Sequence, residues 1–163
     1  MDMQDCIIRR IEPRDDSAVE SIIRGCLVEY GGDHGGTAWT DPMLGHFSQV
    51  YSAEGSCYWV AEDSRGRIVG GVGIGGLEGT DGICELQKMY LLREARGNGI
   101  AGRLLKIALT FAKGRYRSCY LETLPNMTEA QRFYEKHGFV RVSEPVTVTE
   151  HFACDIRYIL YFD

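Results

Sequence analysis

The sequence has no run of apolar residues approaching the ~18 uninterrupted positions that a membrane helix needs. Its opening, MDMQDCIIRRIEPRD, has no apolar stretch long enough for a secretion signal. A membrane protein is therefore not expected, and the cytoplasm is the expected compartment. Nor is there a C-x-x-C pair: Cys6, Cys26, Cys57, Cys84, Cys119 and Cys154 lie far apart. Without a secretion signal an even count does not imply bridges, so these thiols read as small buried apolar groups. The four histidines, His34, His46, His137 and His151, have no spacing suited to a metal, and none is expected. No G-x-x-x-x-G-K-[ST] stretch occurs, which excludes a P-loop. Positive charge is in short supply, with 18 Lys and Arg against 23 Asp and Glu and a net charge of −5, and this argues against nucleic acid as partner. Tandem repeats, low-complexity tracts and linkers are also missing, so residues 1–163 are expected to form a single domain.

What is present is globular: 163 residues, 44% of them hydrophobic, enough to bury roughly 70% of the unfolded surface. Charge is uneven. Residues 1–82 carry six basic and fourteen acidic side chains, whereas residues 83–163 carry twelve and nine. The basic excess is either scatter or the footprint of an anionic ligand in the second half.

Apolar spacing predicts a strand at 6–11 and a helix from Asp15 to about Tyr30, with Val19, Ile22, Ile23, Cys26 and Leu27 on one face and Asp15 or Asp16 as cap. YGGDHGG stops that helix, and a second is expected from Pro42 to Tyr51. Strands follow at 57–62 and 67–74, joined at Ser64–Gly66. The Asp81–Gly82 pair suits a hairpin turn into a strand at 83–92. A helix to about Lys113 carries Ile100, Leu104, Ile107, Ala108 and Phe111 on one face. After it come a strand at 118–124, a helix at 128–137 ended by Gly138, and strands at 139–142 and 154–162. The order β-α-α-β-β-β-α-β-α-β-β implies a mixed α/β protein, one sheet with helices on both faces. GGVGIGG at 70–76 reads as a strand that lets backbone pack closely, not as a phosphate loop.

The stretch LLREARGNGIAGRLLKIAL, residues 91–109, puts a strand end, two arginines, a glycine turn and a helix in sequence. It fits two phosphate-binding patterns. Gly97, Gly99 and Gly102 spell G-x-G-x-x-G, and Glu122 lies twenty residues further on, as in dinucleotide-binding proteins. Against this, the same pattern matches Gly71, Gly73 and Gly76, where no helix follows. Arg93–Arg96 separate strand from glycine, and only about forty residues follow Glu122. The other pattern is R-x-x-G-x-A, formed by Arg96, Gly99 and Ala101.

With that second pattern the chain resembles the GNAT superfamily of N-acetyltransferases. ELQKMYLLREARGNGIAGRLL resembles the family's cofactor strand, loop and helix, and YLETLPNMTEAQRFYEKHGF its following strand, asparagine and helix. The likeness covers roughly residues 83–141. It implies an acyl-CoA N-acyltransferase fold, a central mixed, mostly antiparallel sheet splayed between the fourth and fifth strands, with acetyl-CoA as co-substrate and no metal. It implies direct attack by a primary amine of a small molecule or peptide through a tetrahedral intermediate, with no acyl-enzyme. Relatives often form homodimers, although no exposed apolar helix face in this chain calls for one.

The helix mouth suits a diphosphate, because its first N–H groups lack partners and the helix dipole is positive there. The backbone of Arg96, Gly97, Asn98, Gly99, Ile100, Ala101 and Gly102 is therefore assigned to it, with Arg96 adding positive charge. By resemblance the main chain of Met89, Tyr90 and Leu91 pairs with the pantetheine arm, and an N–H near Met89 steadies the oxyanion. Asn126 is either a helix cap or a cofactor contact, with Thr128 and Gln131 as a rival capping box. Tyr134 is either core or, by resemblance, the acid that protonates the leaving thiolate.

The acceptor amine must lose a proton before attack. Glu85, between Cys84 and Leu86, is either an ordinary strand carboxylate or a base whose burial brings its pKa toward neutrality. Glu122 is the alternative. By resemblance, residues 31–47 and about 143–153 wall the acceptor pocket, which makes His34, Trp39, Phe47 and His151 acceptor-side candidates. His137 reads as a helix C-terminal cap. The acidic first half hints at a cationic small amine or a lysine as acceptor. An acyl-CoA sensor without activity and a dinucleotide-binding protein are the rival functions.

Overall fold

The computed structural model describes residues 5–147 and 152–163. His151 lies outside them.

The described residues form a seven-stranded sheet in the order β1-β2-β3-β4-β5-β7-β6. These strands are β1 (Ile7–Arg10), β2 (Cys57–Glu62), β3 (Ile68–Gly76), β4 (Ile83–Leu91), β5 (Ser118–Thr123), β6 (Val140–Val142) and β7 (Ile156–Tyr161). Only β4 and β5 run parallel; every other neighbouring pair is antiparallel. The helices are α1 (Asp16–Glu29), α2 (Phe47–Val50), α3 (Ile100–Lys113) and α4 (Thr128–Lys136). Element order thus follows the apolar periodicity of the chain.

Alternation along β2 divides the core into two layers. Trp59 and Ala61 join α3's Ile100, Leu104, Leu105, Ala108 and Ala112 and α4's Tyr134 on one face. Tyr58 and Val60 join α1's Val19, Ile22, Ile23, Cys26 and Leu27 and α2's Phe47 on the other. Each large apolar side chain buried in this way contributes roughly 1.5–3 kcal/mol, which holds both helix layers on the sheet.

Three local expectations are corrected. Neither Asp15 nor Asp16 caps α1 through its side chain. Asp15 accepts from the Glu12 N–H at 2.8 Å and pairs with Arg9 at 2.7 Å, while Asp16 accepts from the Ser48 N–H at 2.8 Å and so caps α2. The second helix covers only 47–50, not 42–51. Asp41 Oδ1 accepts the Met43 N–H at 2.9 Å, a local bond that competes with helix. Gly45, where a Cβ would lie 2.5 Å from Glu20 Oε1, belongs to the same turn. Asp81–Gly82 is not a two-residue hairpin turn: residues 77–82 form a longer loop closed by the Leu77 N–H on the Ile83 carbonyl at 2.9 Å.

Two irregularities of β4 shape the site. Its parallel pairing with β5 stops after Glu85 opposite Tyr120, so the strands part beyond that point. On its other side, Gly73 faces Gln87 and Gly71 faces Tyr90, leaving Lys88 and Met89 opposite Val72 alone. That is a β-bulge. Lys88 there has φ +50°, an uncommon conformation for a residue with a side chain.

Candidate active site

The loop after β4 makes a short 3₁₀ turn at Arg93–Ala95 and then enters α3 through Gly97 (φ +76°) and Gly99 (φ +79°). A Cβ at either glycine would meet nothing within 4 Å, so it is the backbone conformation that demands glycine. The first intrahelical bond is Arg103 N–H to the Gly99 carbonyl at 3.2 Å, and the amides before it in the first turn have no intrahelical acceptor. Asn98 Nδ2 donates to the Arg96 carbonyl at 3.1 Å, which tightens the turn.

Arg96 is placed differently from the expectation of a charge aimed at phosphate. Its guanidinium forms a two-pronged pair with Glu29 (2.7 and 2.9 Å) and donates to the Leu91 carbonyl at 3.1 Å. It thereby ties the loop and the end of β4 to the end of α1. The same bonds hold the Glu29 carboxyl below its ordinary pKa.

Next to this loop lies a cavity of about 180 Å³ whose walls include Tyr30, Met89, Arg96, Ala101, Ala130 and Tyr134. Tyr134 and Met89 also line a cavity of about 50 Å³ between the parted strands, together with Lys88, Glu122, Met127 and Cys154. Lys88, Glu122 and Cys154 continue into a third, also about 50 Å³, with Glu85, Gln87 and Ala38. Tyr90 borders all three. A row of cavities thus leads from the mouth of α3 to the two carboxylates.

Tyr134 is a core residue and a cavity residue at once: its ring packs on Phe133, Phe139 and Tyr158. Its hydroxyl makes no hydrogen bond to any described residue. Burial raises its pKa above the ordinary value, with the Cys119 thiol adding to the shift, so the phenol keeps its proton at neutral pH.

Glu85 is half-buried at the point where the strands part. Burial raises its pKa; the hydrogen bond from Gln87 Nε2 to its Oε1 (2.7 Å) and the charge of Lys88 oppose the rise, and the charge of Glu122 adds to it. Glu122, its side chain only 4% exposed, accepts from the Tyr120 hydroxyl at 3.0 Å and lies 3.7 Å from Arg157 Nε. Lys88 Nζ is 3.6 Å from Asp41 Oδ2. Cys154 lies in the same space, its thiol pushed up to about 11 by burial and by Glu122.

Asn126 is no cap: its Nδ2 donates to the Tyr30 carbonyl at 2.7 Å, and Met127 stands at the helix start. Thr128 and Gln131 form no capping box either, because Thr128 is already helical and Gln131 Nε2 reaches back to the Leu124 and Pro125 carbonyls. His137 does end α4, with Nδ1 2.8 Å from the Phe133 carbonyl.

The acceptor-side candidates fare worse. His34 is exposed, with its ring on the Gly35 carbonyl. Trp39 sits under the Arg24 guanidinium, 4.8 Å from its centroid. Phe47, 2% exposed, packs against Tyr51 and Tyr58 in the core. None of the three lines the row of cavities. The two loops themselves do meet: the Ala153 N–H bonds to the Gly36 carbonyl at 3.0 Å, and Ala38 and Cys154 face the third cavity. Gln87, Lys88 and Cys154 went unrecognised in the sequence. Only the bulge gives Lys88 its place, and no spacing rule forecasts it.

The dinucleotide-binding alternative does not survive the topology. β4 has an antiparallel neighbour in β3, whereas that fold surrounds its glycine turn with parallel strands. Among the described residues no group of three or more His, Cys, Asp or Glu is placed to hold a metal. Nor is any helix among them long and apolar enough to cross a membrane.

Residues 54–141 match the family described as acetyltransferase (GNAT) domain. The chain is 40% identical over 160 residues to the uncharacterized N-acetyltransferase YjgM of Escherichia coli K12, covering 96% of this chain and 95% of that one. It is 39% identical over 110 residues to an N-acetylaspartate synthetase of Xenopus tropicalis, covering 66% of this chain and 38% of that one. A GNAT-family acetyltransferase from Staphylococcus aureus Mu50 shares the fold, with TM-score 0.85, 20% identity and coverage of 97% and 99%. With its splayed sheet and glycine-mouthed helix, the chain belongs to the GNAT acetyltransferase family and is an acyltransferase that takes its acyl group from acyl-CoA.

Proposed function

We propose that the protein transfers acetyl from acetyl-CoA to the primary amine of a small, amino-acid-like acceptor, by direct attack with no acyl-enzyme. The observation that carries this is the row of cavities between the parted strands, which joins the mouth of α3 to Glu85 and Glu122.

The amides of residues 97–102 hold the diphosphate, assisted by the helix dipole. Pantetheine runs along β4 at Met89–Leu91 on the edge from which β5 has parted. Tyr134 stands where that arm ends. Glu85, whose pKa burial raises, takes the proton of the ammonium in its ionised form, directly or through water. The amine attacks the thioester carbonyl, a C–N bond forms, and the oxyanion rests on the Met89 N–H. Collapse breaks the C–S bond, Tyr134 gives its proton to the departing thiolate, and the surplus proton on the new amide nitrogen leaves through water, which also reprotonates Tyr134. A phenol with a raised pKa is always protonated when that step arrives.

Lys88 is the one cation among the described residues that line the two inner cavities. It suits a carboxylate on the acceptor, while Glu85 and Glu122 suit its amine. This favours an amino-acid-like acceptor over a polyamine or a lysine peptide, and the aspartate named in the Xenopus relative's product has that chemistry.

Thiol release from acetyl-CoA with amino acids, polyamines and lysine peptides as acceptors tests the proposal. Turnover with amino acids that falls to background in E85Q supports it. Binding of CoA without transfer to any amine would identify a sensor, and turnover with polyamines alone would overturn the acceptor class.

A further inference from the structure

The glycine-rich strand β3 has no catalytic group, yet a Cβ at Gly71 would lie 2.6 Å from the Tyr58 ring, and one at Gly73 2.8 Å from both Tyr51 and Tyr58. The two rings pack into the space that the missing side chains leave, 5.2 Å apart at their centroids. Passing over β3, both hydroxyls reach β4. Tyr58 donates to the Lys88 carbonyl at 2.8 Å, and Tyr51 donates to Gln87 Oε1 at 2.7 Å.

The Lys88 carbonyl belongs to the same peptide unit as the Met89 N–H. In a planar trans peptide these two bonds point in opposite directions. This unit lies at the bulge, where Lys88 and Met89 share Val72 as their β3 counterpart and neither is paired with β5. A carbonyl drawn toward Tyr58 therefore turns the Met89 N–H the other way, toward the gap between β4 and β5 that Met89 lines with Tyr134.

We infer that Tyr58, seated on Gly71 and Gly73, is a positioning residue for acetyl transfer: by holding the Lys88 carbonyl it aims the Met89 N–H at the thioester oxygen. This rests on the proposed function, which assigns that N–H to the oxyanion. A donor fixed in advance stabilises developing charge without reorganising at the moment of reaction. Hydrogen bonding to the carbonyl of a peptide also polarises it and strengthens donation by its N–H. The G-G-V-G run is thus the socket of a device that acts one strand away.

Infrared spectroscopy of [1-¹³C]acetyl-CoA bound to the protein tests the inference without an acceptor. In the wild type the thioester carbonyl band is expected below its position in free acetyl-CoA. In Y58F most of that displacement is lost while CoA affinity is kept, because the phenyl ring still fills the socket. Y51F, which frees a side chain but not the peptide, leaves the band in place. With an amino acid acceptor, Y58F lowers kcat by tenfold or more, toward the ~10²–10³-fold cost of deleting an oxyanion donor outright, with KM for acetyl-CoA unchanged. Should Y58F not fold, 3-fluorotyrosine at position 58, a stronger donor, moves the band further down. An active protein whose band and kcat ignore both changes overturns the inference alone. A wild type that binds CoA and transfers no acetyl overturns the proposed function together with it.

Discussion

Gln87 donates from Nε2 to Glu85 Oε1 at 2.7 Å, and the oxygen of the same amide accepts from the Tyr51 hydroxyl at 2.7 Å. An ionised carboxylate can only accept, so it takes the amide nitrogen, and the amide oxygen is left for the tyrosine, which donates. Glu85 therefore ionises against burial with one hydrogen bond in its favour and the charge of Glu122 against it.

The acid limb of kcat/KM reports this balance. Burial raises the folded pKa of Glu85, and the base must be ionised to act, so the rate should climb with pH above the ordinary carboxylate range. Gln87→Met removes a bond that stabilises the charged form and should move the limb to higher pH. Glu122→Gln removes a like charge and should move it lower. Limbs that move together, or not at all, would show that Glu85 does not limit the rate.

Tyr134→Phe removes a hydroxyl without a described partner and keeps the ring contacts with Phe133, Phe139 and Tyr158. Stability should change by less than about 1 kcal/mol, since no protein hydrogen bond is broken. Turnover should fall by ~10²–10⁴ while CoA still binds. Denaturant melts alongside kcat and CoA titrations separate these effects; full activity would reduce Tyr134 to core.

Gly97→Ala and Gly99→Ala place a side chain at positive φ with nothing to clash against. The cost is backbone strain of about 1–2 kcal/mol each, or roughly 2–8 °C in Tm for a chain of this size. CoA affinity should drop as well, because the amides change direction. Thermal shifts with and without CoA measure both.

The Glu29–Arg96 pair gives a pH dependence of opposite kind. Arg96, then Arg93, hold the folded pKa of Glu29 below its unfolded value. Its stabilisation is therefore present above the unfolded pKa and disappears as pH falls through the folded one. Glu29→Gln should melt lower than wild type at neutral pH and converge with it in acid. A deficit that persists at low pH would mean that the pair is not its source.

How much of this was legible in the sequence follows from how local each feature is. The apolar period of 100–113 and the positive-φ glycines at 97 and 99 are properties of neighbouring residues, so α3 and its mouth could be read from the chain. So could Gly138, at φ +93° after α4. The caps of α1 could not, because Asp15 and Asp16 had closer-fitting partners in Arg9 and Ser48, the latter thirty-two residues away.

The chain by itself determined the element order, the glycine turn and the family likeness, since turns and periodic faces depend on residues a few positions apart. Tertiary structure decided that Arg96 spends its charge on Glu29, that Phe47 is core, and that Gln87, Lys88 and Cys154 meet Glu85 and Glu122. Those outcomes depend on where β4 leaves β5 and on the bulge against β3. Strand separation and register are set by packing between distant segments, which no local pattern encodes.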